Sequence, residues 1–179
     1  MKVNGSRLLR AAPIANMETE KIKFEGTSYG LAEAGYDIRL KQDVRWVKEI
    51  KRAPWIIRLL RLHYLVRHSL YVDGEFQGFT RFTLASGVEY FQMPKDLVAQ
   101  IADKSTHARR ALSVFNTVAE PNWRGNLTLE LVYHGEDELH LKAGIGIAQS
   151  LFSQLFEDGD YGEDGKYQDQ PDRPVEARD

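Results

Sequence analysis

From Phe76 to Pro94 the chain reads FQGFTRFTLASGVEYFQMP, aromatic and β-branched residues alternating with polar ones. That spacing of two is the period of a half-buried strand. Further short runs follow: ALSVFNTV (111–118), GNLTLELVYHG (125–135), LHLKAG (139–144) and IGIAQSLFSQLF (145–156). Gly, Pro, Asp or Asn separate them, so the pattern predicts a mainly β domain, a sandwich or barrel. Upstream, EGTSYGLAEAGYDIRL (25–40) has glycines at 26, 30 and 35 around short apolar pieces, which predicts turn, turn and then a strand YDIRL, and Asp73-Gly74 marks another turn.

Two segments read differently. Between Val44 and Val72, Trp46, Val47 and Ile50, then Trp55, Ile56, Leu59, Leu60 and Leu62, recur at helix-like spacing around Pro54. One or two amphipathic helical pieces are expected there, forming a basic excursion over 45–70. PKDLVAQIAD (94–103) opens with proline and carries apolar Leu97, Val98 and Ile101, which suggests a short helix. The chain divides into one β domain, 1–156, and a mobile acidic arm, 157–179.

The length of 179 residues suffices for a core without staples, and with no cysteine neither a disulfide framework nor a thiolate zinc site is available. The five histidines show no H-E-x-x-H spacing, so a metal held by the protein alone is not expected. No window approaches a membrane span and the N-terminal apolar patch is too weak for a signal peptide, which points to a soluble, cytoplasmic protein. Charge is uneven: residues 41–70 hold eight Lys or Arg against two acids, and 156–179 nine acids against three bases. These read as solvated faces, or as segments that meet each other. The overall balance argues against nucleic acid as the partner.

Candidate chemistry concentrates in 103–131. Lys104, Ser105, Thr106 and Arg109 supply donors suited to a polyphosphate, without the glycine frame of a P-loop. Equally, Ser105 could cap a helix and Arg109 pair locally. In the run LTLELV, strict alternation puts Leu127, Leu129 and Leu131 on one face and Thr128, Glu130 and Val132 on the other. Glu130 is then either a solvent-facing glutamate or, if enclosed, a carboxyl with a raised pKa suited to general acid/base work.

Six pieces, SYGLAEAGYDIRL (28–40), VEYFQMP (88–94), KSTHAR (104–109), NTVAEPNWRGNLTLE (116–130), AGIGIAQSLF (143–152) and GKYQDQ (165–170), together resemble the dCTP deaminase family of the deaminase/dUTPase superfamily. The resemblance implies a distorted β-barrel or jelly-roll-like fold of dUTPase type with a few short helices, assembled as a homotrimer with sites between subunits. It implies hydrolysis of dCTP to dUTP and ammonia, with Mg2+ bound through the nucleotide triphosphate and no zinc.

By motif, Glu130 is the proton shuttle, Ser105 positions the water and contacts phosphate, and Arg109 offsets charge. Lys104 and Thr106 fit phosphate contacts; Ala108 and His107 lie in the same motif, His107 reading better as a packing or surface residue. Glu120 and the Thr128–Leu129 backbone match positions facing sugar and base. Gln149, Tyr161, Lys166 and Gln170 match residues that close over the nucleotide, the last three on the arm. Asp37 reads as structural, through backbone hydrogen bonds.

Asp103 and Ala111 stand where the family commonly has glycine, which puts phosphate affinity in doubt if the Asp103 carboxylate faces the phosphates. The rivals are a dUTPase, which the T-L-E glutamate and the GKYQDQ tail oppose; a bifunctional enzyme giving dUMP and pyrophosphate, with Glu120 as the extra acid; a catalytically silent nucleotide-binding regulator; and altered substrate choice.

Overall fold

The structure, a computed structural model, describes residues 1–58 and 64–178. It is mainly β. Strand β1 (Lys2–Val3) and helix α1 (Gly5–Ala11) precede β2 (Lys21–Phe24), β3 (Thr27–Leu31) and β4 (Tyr36–Arg39). Then come β5 (Val44–Arg52), the single helical turn α2 (Trp55–Arg58), β6 (Tyr64–Val72), β7 (Glu75–Gly78), β8 (Phe82–Gln92) and β9 (Leu97–Asp103). Short helix α3 (Ser105–Ala108) leads into β10 (Leu112–Val114), β11 (Val118–Ala119), β12 (Arg124–Tyr133), β13 (Leu139–Leu141) and β14 (Gly146–Gln154).

These strands form three sheets: a seven-stranded one ordered β11-β9-β14-β4-β3-β2 with β1 also on β14, a three-stranded β10-β12-β8, and a four-stranded β13-β5-β6-β7. One core joins them, with Tyr36, Ile38, Trp46, Phe91, Leu129, Leu131, Ile147 and Phe152 all but fully buried. The alternating runs after Phe76 became β7, β8, β10, β12, β13 and β14. Asp73 and Gly74 make the β6–β7 turn with positive φ at both residues, as a two-residue hairpin turn requires.

The helical reading of 45–70 is corrected. The described residues of that stretch form an antiparallel hairpin, paired from Val44↔Val72 to Arg52↔Tyr64, with Trp55–Arg58 helical. β5 is held between β13 and β6, and Trp46 goes into the core opposite Leu70. Pairing on both edges overrides the short-range spacing that Trp46, Val47 and Ile50 share with a helix. The expectations for Leu59, Leu60 and Leu62 lie outside the described residues.

The short helix at 94–103 is corrected too: after a turn at Pro94, β9 runs along β14 for seven residues, and Leu97, Ala99 and Ile101 point inward at a spacing of two. Gly26 lies in a turn and Gly35 in a bend before β4, while Gly30 lies within β3, where its φ of +90° lets the Glu20 carbonyl approach where a side chain would stand. Of the basic stretch, Lys41 pairs with Asp172 of the acidic arm, while Arg45, Lys48 and Arg67 pair with Glu138, Asp137 and Glu49.

Arg39 ties the large sheet to the three-stranded one. Its Nε donates to Glu89 Oε1 and its backbone N–H to Glu89 Oε2, both at 2.8 Å. The Glu89 carboxylate is 2 % exposed. Burial raises its pKa more than Arg39 lowers it. Burial also works against the charge on Arg39, but the bonds to Glu89 outweigh it and raise the guanidinium's pKa. Removing Arg39 strands a buried charge, so Arg39→Met should lower stability at pH 7 by about 3 kcal/mol. A buried carboxyl whose pKa is raised is tolerated once protonated, so the deficit should narrow as pH falls toward 5. Urea unfolding at the two pH values checks this; an equal deficit at both contradicts it.

Candidate active site

β12 supplies a wall of the first cleft. Between Asn126 and Thr128 its pairing with β8 shifts by two residues, the extra ones lying on β8, and beside this irregularity Leu127, Thr128 and Glu130 all line one cleft. The strict alternation expected of LTLELV therefore fails at Leu127, which belongs to the core and to the cleft wall; Leu129 stays wholly buried and lends the cleft no side chain. The cleft has a volume of about 730 Å³ and is walled by Phe115, Asn116, Glu120, Glu130, Tyr161 and Gln170 among others.

The edge of β12 in this cleft is finished by side chains. β10 leaves it after Phe115, whose N–H bonds Glu130 O at 3.0 Å. Asn116 then donates through Nδ2 to Thr128 O at 2.6 Å and accepts the Glu130 N–H on Oδ1 at 3.2 Å. Gln170 continues the edge: its Oε1 accepts the Thr128 N–H at 3.2 Å, and its carbonyl accepts the Asn126 N–H at 3.1 Å. Gly125 permits this contact, since a Cβ there would lie 2.5 Å from Gln170 N. The arm is anchored further by Trp123 Nε1 to Tyr167 O at 2.6 Å, and by Val175 N–H to Thr128 Oγ1 at 3.0 Å. Tyr161 packs against the core, and its hydroxyl accepts the Tyr167 N–H. Glu130 is half-buried on the wall of this cleft, and burial raises its pKa.

A second cleft lies at the end of β9, on the large sheet. A cleft of about 970 Å³ is lined by Lys104, Ser105, Thr106 and Gln149 together with Lys21, Ser28 and Asp37. Its centre is Asp37, 1 % exposed, which accepts from Ser28 Oγ and Gln149 Nε2, each at 3.0 Å, and from Lys104 Nζ. Asp37 is structural as expected, but through side-chain partners where backbone ones were anticipated. Ser105 and Thr106 are exposed, and the N-cap of α3 is Lys104, so Ser105 is the first helical residue and not the cap. His107 turns inward, 1 % exposed, with Nε2 against Gly146 O at 2.9 Å, and burial lowers its pKa. It is a packing residue and does not reach the cleft. Asp103 gives its carboxylate to the Val114 N–H at 2.7 Å, so that oxygen faces the backbone.

The residues expected to form one site thus fall into two groups. Glu120, Thr128, Glu130, Tyr161 and Gln170 share one cleft, and Lys104, Ser105, Thr106 and Gln149 the other. Ala108 and Arg109 are exposed and in neither wall, and so is Lys166, whose carbonyl accepts from Arg178.

A sequence profile of the dCTP deaminase-like family matches residues 8–155. The chain belongs to that family. Relatives include the dCTP deaminase of Acidobacterium capsulatum, 30% identical over 177 residues and covering 95% of this chain and 96% of that one. Another is the dCTP deaminase of Campylobacter jejuni, 33% identical over 148 residues, covering 80% and 77%. Among solved structures the chain is similar to the 2'-deoxycytidine 5'-triphosphate deaminase from Agrobacterium tumefaciens, with 16% identity and a TM-score of 0.49 over 84% of this chain and 47% of that one. It is also similar to native EIAV dUTPase, with 13% identity and a TM-score of 0.46 over 86% and 92%.

Sequence reasoning about this family member gave no role to Asn116 or to Glu89. Glu89 was detectable, standing at the inward parity of β8 with Ala85 and Phe91. Asn116 had a weaker signal, a polar residue where the alternation of ALSVFNTV breaks.

After the KSTHAR motif Ala111 takes φ +60°, a left-handed conformation that costs an L side chain about 1 kcal/mol. Ala111→Gly should stabilise the fold by ~0.5 kcal/mol once the greater freedom of glycine in the unfolded chain is offset. A shift of the urea midpoint to higher concentration checks this, and a lower midpoint contradicts it.

Proposed function

We propose that this chain is an enzyme that hydrolyses dCTP to dUTP and ammonia, with Glu130 as the proton shuttle. The observation that carries this reading is Glu130 itself: a half-buried carboxyl with a raised pKa, in a cleft of mixed polar and apolar walls, in a member of the dCTP deaminase-like family. Glu130 takes a proton from water as the oxygen attacks C4 of cytosine. It delivers protons to N3 and to the departing amine, so that carbonyl and ammonia replace amine and water. The nucleotide enters between the Glu130 cleft and the Lys104 cleft of a neighbouring subunit in a homotrimer. There Ser105 orients the water and touches phosphate, and Thr106 and Arg109 meet the triphosphate charge, while Lys104 stays paired with Asp37.

The nucleotide would carry Mg2+ on its triphosphate, and the ion would neutralise part of that charge. Four carboxylates in the Lys104 cleft are already engaged, Asp37 by Lys104, Asp103 by Val114, Glu33 by Lys21 and Glu25 by Lys142, and hydroxyls and lysines suit phosphate better than a bare cation. The acidic arm, with Tyr161, Lys166 and Gln170, serves as the lid that excludes water. A second reading is supported by the place of Glu120 in the Glu130 cleft: a second acid that could activate water for phosphate hydrolysis, giving dUMP and pyrophosphate.

Anion-exchange analysis of products from dCTP and Mg2+ separates the readings. dUTP with ammonia supports deamination alone, dUMP with pyrophosphate the bifunctional reading, and unchanged dCTP sinks both. Glu130→Gln should reduce turnover about 10²–10⁴-fold. Because burial raises the Glu130 pKa and the shuttle must begin ionised, wild-type turnover should fall on the acid side with a midpoint above the usual glutamate value of about 4.3. A midpoint at or below that value contradicts the assignment.

A further inference from the structure

Phe115 is the last residue of the β10 side to make a backbone rung on β12, through its N–H to Glu130 O at 3.0 Å. Three residues later the chain belongs to the large sheet, where Val118 pairs with Gln100. At this crossing two backbone groups of β12, the Thr128 carbonyl and the Glu130 N–H, point into a gap that no strand fills. The amide of Asn116 bonds both, as donor at 2.6 Å and acceptor at 3.2 Å. Only a primary amide on a short stem offers one donor and one acceptor at this spacing and so reproduces a peptide rung. Alanine leaves both groups without a protein partner, and aspartate sets an oxygen against the Thr128 carbonyl.

We propose that Asn116 is a positioning residue for Glu130, a side-chain rung that fixes the backbone at residues 128–130 and so the direction of the Glu130 carboxyl in the cleft. The inference rests on the reading of Glu130 as the proton shuttle. Asn116 need not touch the reacting atoms to do this. It shares the cleft wall with Glu130 and holds the backbone on which that carboxyl is carried. A reacting group displaced by about 1 Å loses on the order of 10²-fold in rate. The rung also keeps water from the β12 backbone, consistent with the burial that raises the Glu130 pKa.

The test pairs kinetics with a readout that does not depend on turnover. For wild type and Asn116→Ala, kcat and KM for dCTP are measured, and the Glu130 carboxyl is titrated by carbon NMR. The expected result is a kcat lower by about 10–100-fold with KM nearly unchanged, and a Glu130 pKa moved down toward the ordinary glutamate value. Wild-type kcat with an unmoved titration overturns the proposal. So does a lower kcat with an unmoved titration and a matching loss of thermal stability, which assigns Asn116 to folding alone. If Asn116→Ala does not fold, Asn116→Gln, with the same amide one methylene further out, carries the same measurements. If wild type leaves dCTP unchanged, the deaminase reading fails, and the Glu130 titration in the two proteins alone decides the role of Asn116.

Discussion

A strand edge inside a protein must have its peptide groups bonded, and the edge of β12 beyond Phe115 has no strand beside it. Asn116 and Gln170 bond it instead, from segments 54 residues apart in the sequence. Leaving a buried peptide group without a partner costs about 1–3 kcal/mol, so these contacts are strongly constrained. Much of the Glu130 cleft follows from them. Asn116 sets the strand that carries the carboxyl, and Gln170 brings the acidic arm across Gly125 to form the opposite wall.

A comparable constraint shapes the other cleft. Asp37 is a buried carboxylate, and Lys104, Ser28 and Gln149 surround it. Because Lys104 and Gln149 turn to Asp37, the exposed groups left at the end of β9 are the hydroxyls of Ser105 and Thr106, with Arg109 close by in sequence. The two clefts differ in chemistry, exposed hydroxyls in one and a half-buried carboxyl in the other, on different sheets of the same chain. The proposed function has one nucleotide use both, between two copies of the chain.

The sequence carried the strands whose alternation meets a one-sided core: β8, β12 and β14 are visible because each has a buried face and a polar one. It misled where pairing, not periodicity, decides. Trp46 and Val47 fit a helix as a spacing but a strand as neighbours of β13 and β6, and Leu97–Ile101 lie flat along β14 for the same reason. Candidate site residues were legible in the sequence only as types, hydroxyl, guanidinium and carboxyl, at the positions of the family motifs. Their partition into two clefts, the inward turn of His107 and the rung made by Asn116 were not, because each depends on which distant backbone group lies opposite, and no local pattern records that.

The central claim is that a working site needs the Glu130 cleft of one copy and the Ser105 cleft of another. Refolding an equimolar mixture of Glu130→Gln and Ser105→Ala proteins, each poorly active alone, tests it directly. In a symmetric assembly with random mixing about a quarter of the sites then combine an intact Glu130 with an intact Ser105 from different chains, so dCTP turnover should rise to about a quarter of wild type. If both residues serve from the same chain, every site in the mixture stays defective. Activity that remains at the level of the separate variants, in a mixture shown to exchange chains, contradicts the account.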